Sequence, residues 1–304
     1  MAFTAKDVQA LREKTGVGMM DCKKALTESN GDMDKAVEIL REKGLAASQK
    51  KAGRIAAEGI VLAKVCGDKG VVVEVNSETD FVAKNQDFQN FVSDVADAVV
   101  ANNPADLDAL FACKYPNSDM TVEQMQQEKV LTIGENIKIR RFAMYAEGTS
   151  VAYVHMGGKI GVLLNMTLSD NIKGNEQALA MGRDIAMQIA AMRPSYLKAD
   201  EVDAETLEKE KEILMAQALN EGKPQQVAEK MVNGRIKKYY SENCLLDQPF
   251  VKDDKISVSQ YVANVAKELG GEISINCFTR FEKGEGIEKR VDNFAEEIAK
   301  MTGN

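Results

Sequence analysis

The sequence contains one histidine, no tryptophan, five prolines and five cysteines in 304 residues. A single histidine, His155, removes every site that needs two imidazoles and confines the usual general base to one position. The cysteines at positions 22, 66, 113, 244 and 277 are odd in number, widely spaced and without a Cys-x-x-Cys pair. That argues against a disulfide framework, a zinc site or thiol exchange, and suits reduced, mostly buried thiols in the cytosol. No apolar run approaches the ~20 residues of a membrane helix, and Met1 to Asp7 shows neither the apolar segment nor the cleavage site of a secretory signal. A cytoplasmic location without membrane contact is expected.

Machinery for bond chemistry is also sparse. Gly16-Val17-Gly18 lacks the third glycine and the preceding strand of a dinucleotide site. Gly157-Gly158-Lys159-Ile160 lacks the first glycine of a phosphate loop, since position 153 is Tyr, and the Ser or Thr after lysine. No Gly-x-Ser-x-Gly elbow accompanies His155. No cofactor, metal or catalytic residue is expected, although a carboxylate-based enzyme assembled in three dimensions stays open. With 39 basic and 47 acidic residues the net charge is −8, which disfavours direct nucleic-acid contact. Residues 1–54 alone carry 11 basic against 8 acidic groups. An RNA-binding, translation-associated protein using that segment is therefore the alternative from another class.

What is present is helical first. Thr4 to Asp7 resembles a capping box with Asp in place of Glu or Gln, and Val8 and Leu11 follow at helical spacing until Gly16 and Gly18. A second helix from about Met20 carries Cys22, Ala25 and Leu26. Asn30-Gly31-Asp32 ends it and starts a third, with Met33, Ala36, Val37 and Leu40 on one face. These make a three-helix bundle of the ubiquitin-associated kind. Gly44 is expected to close it, and Ser48 to Gly59 reads as a basic tether with helical potential.

From Gly59 the period changes to two, with a hairpin signal at Cys66 to Gly70 and an amphipathic helix marked by Phe88, Phe91, Val92, Val95 and Val99. Shifted by 91 positions, Gly67, Gly70 and the valines that follow fall on Gly158, Gly161 and Val162-Leu163-Leu164, again followed by a helix, Glu176 to Met192. Later strands start after Gly134-Glu135 and Gly271-Glu272. The expected fold class is α+β: the bundle, a duplicated core of small antiparallel sheets, an inserted antiparallel helical hairpin and a C-terminal helix. The hairpin follows from charge. Asp200 to Glu212 holds seven acids and two lysines, Lys223 to Lys238 five basic residues and one acid, and Gly222-Lys223-Pro224 separates them. Its seam is expected at Leu207, Ile213, Leu214, Ala228, Met231 and Ile236. The domain boundaries drawn are 1–54 for bundle and tether, 55–147 for the first core subdomain, 148–199 with 240–282 for the second, 200–239 for the arm, and 283–304 for a C-terminal module with a helix from Val291.

One loop stands out. Asn76 to Asn85 joins an apolar strand to an amphipathic helix and places Asp80, Phe81 and Lys84 close in sequence. Two assignments are open. Thr79, Asp80 or Asn85 cap a helix while Phe81 enters the core, or the aromatic is a wedge for a partner's pocket.

Several stretches, in order and over essentially the whole chain, closely resemble the elongation factor Ts family. They are Thr15 to Leu26, Glu74-Val75-Asn76 leading to Thr79 to Asn85, Gly134 to Ile137, His155 to Val162, and Arg280 to Ile287. Residues 102–132 and 251–261 match less well. The resemblance implies a non-enzymatic guanine-nucleotide exchange factor that binds the GDP form of elongation factor Tu and accelerates GDP release. It implies that Met19, Met20 and Lys23 dock on the partner's GTP-binding domain. Thr79, Asp80, Phe81 and Val82 would displace magnesium beside its nucleotide, with Ala83, Lys84 and Asn85 at the same contact. His155 and Gly157 would hold another domain, and the helix after Val291 would clamp the first. A homodimer or two-plus-two complex stays open.

Overall fold

The structure is a computed structural model and describes residues 3–288; the helix expected from Val291 lies outside them. The fold is α+β, as expected. The described residues fall into two compact units, 3–62 with 73–142 and 282–288, and 63–72 with 143–281.

In the first unit, helices α1 (Ala5–Thr15), α2 (Met19–Glu28) and α3 (Met33–Lys51) enclose Leu11, Cys22, Ala25, Leu26, Ala36 and Leu40. Local chemistry sets their ends. The Thr4 side chain accepts from the Asp7 amide while Asp7 accepts from the Thr4 amide at 2.6 Å, so the shorter acid completes the box. Asn30 and Gly31 take left-handed conformations, and Asp32 caps α3. Gly44 does not close α3. The helix runs on to Lys51, with Gly44 buried inside it beside the Gln127 carbonyl. The basic stretch is thus partly helical. Lys51 reaches across to donate to the Val130 carbonyl at 3.1 Å.

Strands β1 (Glu58–Cys66) and β2 (Lys69–Ser77) precede a short helix α4 (Asp80–Ala83), then α5 (Gln86–Asn102), α6 (Leu107–Ala112), α7 (Val122–Ile133) and β3 (Lys138–Tyr145). The strands pair in the order β1-β2-β3. The five apolar residues expected on the face of α5 are all buried. Within 102–132, the stretch that matched the family less well, only Val122 and Val130 of α7 are fully buried. A Thr121–Gln124 capping box and a left-handed Gly134 nevertheless bound that helix.

The second unit repeats the motif of hairpin, helix and later strand. Strand β4 (Thr149–His155) pairs antiparallel with β5 (Ile160–Leu168), from Thr149 opposite Met166 to His155 opposite Ile160. Helix α8 (Glu176–Met192) covers the pair. The arm follows as α9 (Ala204–Asn220) and α10 (Gln225–Asn243), reversed at a left-handed Gly222 with Pro224 at the α10 N-cap. Its buried residues are Ala218, Ala228, Val232 and Ile236. Of the expected seam, Ala228 and Ile236 are thus buried and Leu207, Leu214 and Met231 half-buried, while Ile213 is 53% exposed. Strands β6 (Pro249–Phe250) and β7 (Asp253–Ser257), helix α11 (Val258–Leu269) and strand β8 (Ile273–Glu282) complete the chain, with β8 beside β5. Val162, Leu164, Met166, Met181, Ile185 and Ile189 centre this core. Among the described residues no helix is long and apolar enough to cross a membrane.

Candidate functional site

Strand β2 ends in a run of fully buried residues, Val75, Asn76 and Ser77, and the chain then emerges. Glu78 and Thr79 are half-buried, Asp80 is exposed, and Phe81 is 81% exposed, the largest figure among the exposed large hydrophobics described. Val82 is half-buried and Ala83 buried, while Lys84 and Asn85 face solvent. Of the first sequence assignment for this loop, the caps are present and the burial of Phe81 is not. Thr79 caps α4 by accepting from the Val82 amide at 3.3 Å, and Asn85 caps α5 by accepting from the Asp87 amide at 2.7 Å. Two caps back to back leave five residues between them, 80–84, and Phe81 is exposed among them. It does not enter the core.

Asp80 pairs with Lys84 at 2.7 Å, one helical turn on. The Lys84 ammonium hydrogen-bonded to it holds the Asp80 carboxyl below the usual carboxylate range. An ionised acid thus sits beside an uncovered phenyl ring. Burying such a ring on a partner is worth about 2 kcal/mol.

The loop is tied down from behind. Glu135, immediately after the Gly134 cap of α7, accepts from the Glu78 and Thr79 amides at 3.0 and 3.1 Å and from the Thr79 hydroxyl at 2.6 Å. In return the Glu78 carboxylate accepts from the Asn136 amide at 2.6 Å and lies 3.5 Å from the Arg54 guanidinium. Earlier on the strand, the fully buried Glu74 carboxylate meets Arg140 at 3.1 Å and Arg141 at 2.6 Å, and accepts from the Gly284 amide at 2.8 Å. Sequence alone marked neither acid as a support, because nothing local shows which donors arrive from 50 or more positions away.

Two further groups carry the remaining expected residues. On α2, Met19 and Met20 are 45% and 63% exposed and Lys23 is also exposed, while Cys22 is buried and its thiol raised by that burial. In the second unit, the turn from β4 to β5 takes Met156, Gly157 and Gly158 through left-handed backbone, φ 49°, 62° and 94°. Met156, which sequence reasoning passed over, is held 68% exposed by this turn although it is not a glycine. His155 is half-buried, not enclosed, and its Nδ1 lies 3.0 Å from the Tyr153 hydroxyl. Gly157 is exposed. Ala83 differs from its neighbours, since its methyl is turned inward and supports the loop. Among the described residues no three His, Cys, Asp or Glu side chains gather as a metal site.

Known proteins of one family are similar to this chain over nearly its whole length. A family model described as elongation factor TS matches residues 78–285. Elongation factor Ts of Syntrophotalea carbinolica is 52% identical over 99% of this chain and 100% of its own length. That of Clostridium perfringens is 53% identical over 99% of both, and that of Clostridioides difficile 51% over 98% of both. The class is that of the translation elongation factors. Within it, the chain belongs to the elongation factor Ts family.

Proposed function

We propose that the chain binds the GDP form of elongation factor Tu and accelerates GDP release by differential binding, with no bond made or broken. The observation that carries this is Phe81, 81% exposed beside an ionised Asp80 on a helix capped at both ends. The stretch Thr79 to Val82 enters the partner beside its nucleotide and displaces magnesium. Magnesium bridges phosphate to protein, so its loss leaves phosphate charge uncompensated and weakens nucleotide binding by several kcal/mol, each ~1.4 kcal/mol being tenfold. Met19, Met20 and Lys23 dock the GTP-binding domain, Lys84 and Asn85 border the loop contact over the support of Ala83, and His155 and Gly157 hold a different domain. Linkage then makes an incoming nucleotide weaken the factor's grip by the same factor, so the factor leaves and acts again. The working parts are the bundle and tether of residues 1–54, core subdomains 55–147 and 148–199 with 240–282, the arm 200–239, and a module 283–304.

The test is stopped-flow release of fluorescent GDP from purified elongation factor Tu with substoichiometric amounts of this chain. Phe81→Ala and Asp80→Ala are expected to slow release by about tenfold at saturation, more than they weaken complex formation. Unchanged release in both overturns the proposal.

A further inference from the structure

We propose that Glu135 is the positioning residue of the exposed loop, fixing α4 so that Phe81 is presented in one orientation. This rests on the proposed role of Phe81 in exchange. One carboxylate oxygen accepts from two successive amides, Glu78 at 3.0 Å and Thr79 at 3.1 Å, and the other accepts from the Thr79 hydroxyl at 2.6 Å. The same hydroxyl oxygen accepts from the Val82 amide at 3.3 Å. A continuous chain of hydrogen bonds therefore runs from Glu135 through Thr79 to the residue after Phe81.

The clasp is reciprocal. Residue 78 gives its amide to Glu135 and its carboxylate to the Asn136 amide at 2.6 Å, while the Asn136 side chain donates to the Arg54 carbonyl at 2.8 Å. Residues 78–79 and 135–136 thus hold each other at two points, and a segment held at two points cannot pivot about either. A four-residue helix has no stability of its own. The amides that Glu135 takes are those of the helix's N-cap residue Thr79 and of Glu78 just before it, and a carboxylate satisfies them through charge-assisted bonds. The Phe81 side chain is 81% exposed, so its placement depends on the backbone that the clasp holds. Misplacing a group that must enter a partner's site costs rate more than affinity.

Glu135→Ala removes all three acceptor contacts. It is expected to lower the maximal rate of GDP release by about tenfold while the half-saturating concentration changes less than about threefold. Amide hydrogen exchange at Thr79 and Val82 in the free protein is expected to speed up at least tenfold. Glu135→Gln keeps a carbonyl oxygen for the two amides, and the Thr79 hydroxyl can turn to accept from its NH2, so release returns to within about threefold of the parent. Thr79→Val, which removes only the relay, falls between. In Phe81→Ala, adding Glu135→Ala is expected to slow release no further, because both changes act through one ring. The inference is overturned if Phe81→Ala slows release but Glu135→Ala does not, or if the two effects multiply in the double variant. A Phe81→Ala variant with the parent's release rate overturns the role of the loop, and the inference with it.

Discussion

Replacing Glu74 with glutamine tests how the turn at residues 283–286 is attached to β2. The Glu74 side chain is wholly buried and faces two guanidiniums, Arg140 at 3.1 Å and Arg141 at 2.6 Å, that are 24% and 30% exposed. It also accepts from the Gly284 amide at 2.8 Å and the Asn76 side chain at 3.1 Å. Arg140 and Arg141 reach on to the Glu285 and Glu282 carbonyls, and Lys283 pairs with Glu58. Gly284 is left-handed at φ 68° and so close to the Ala57 carbonyl that no side chain fits. Removing one partner of a buried ion pair costs about 3–5 kcal/mol because the other charge stays behind. Here the guanidiniums retain some water, so the low end applies, about 3 kcal/mol.

For a unit of this size each kcal/mol moves the melting temperature by about 2–4 °C, so Glu74→Gln is expected to lower the transition by roughly 6–12 °C in calorimetry. Limited proteolysis is expected to cut first near residue 284. The loss is expected to persist at about 0.5 M salt, since a carboxylate without solvent contact is weakly screened. A melting temperature within about 2 °C of the parent refutes the reasoning, and shows that the arginines hold the turn through its carbonyls without needing the acid.

Two other outcomes follow from packing and burial. Burial pushes the Glu128 carboxyl up, against the pull of Lys129 and Arg41. The native state therefore holds its proton to higher pH than the unfolded chain, and stability falls as pH rises through that window. Glu128→Gln is expected to raise the melting temperature at pH 8 and to give no gain at pH 3; equal gains at both refute it. At Gly70 a Cβ would stand 2.5 Å from Ser150 Cβ and 2.7 Å from Leu163 Cδ1, so Gly70→Ala is expected to cost about 1–3 kcal/mol, read from the urea midpoint. An unchanged midpoint shows that the β1-β2 tip yields to the added methyl.

Much of the architecture was legible because its causes are local. Thr4 and Asp32 cap helices through residues three positions away, and Gly16 and Gly222 turn the chain left-handed. The stripe of Phe88, Phe91, Val92, Val95 and Val99 needs only helical periodicity to declare a buried face. The opposite charges of the arm's helices likewise announced a hairpin and part of its seam, Ala228 and Ile236, whereas Ile213 looked apolar enough to be inside and lies outside.

What the sequence by itself determined is thus the order and type of most elements, and the loop from Thr79 to Asn85 as the feature that the core does not explain. Only the tertiary structure decided that Phe81 points to solvent, that Gly44 lies inside its helix and does not end it, and that Glu135 and Glu74 are the acids beneath the loop and the turn. The reason is physical. A cap or a periodic stripe is set by groups a few residues apart, whereas the burial of a carboxylate or the exposure of a ring depends on which segments arrive from 50 to 200 positions away, and a string of residue types carries no such distances.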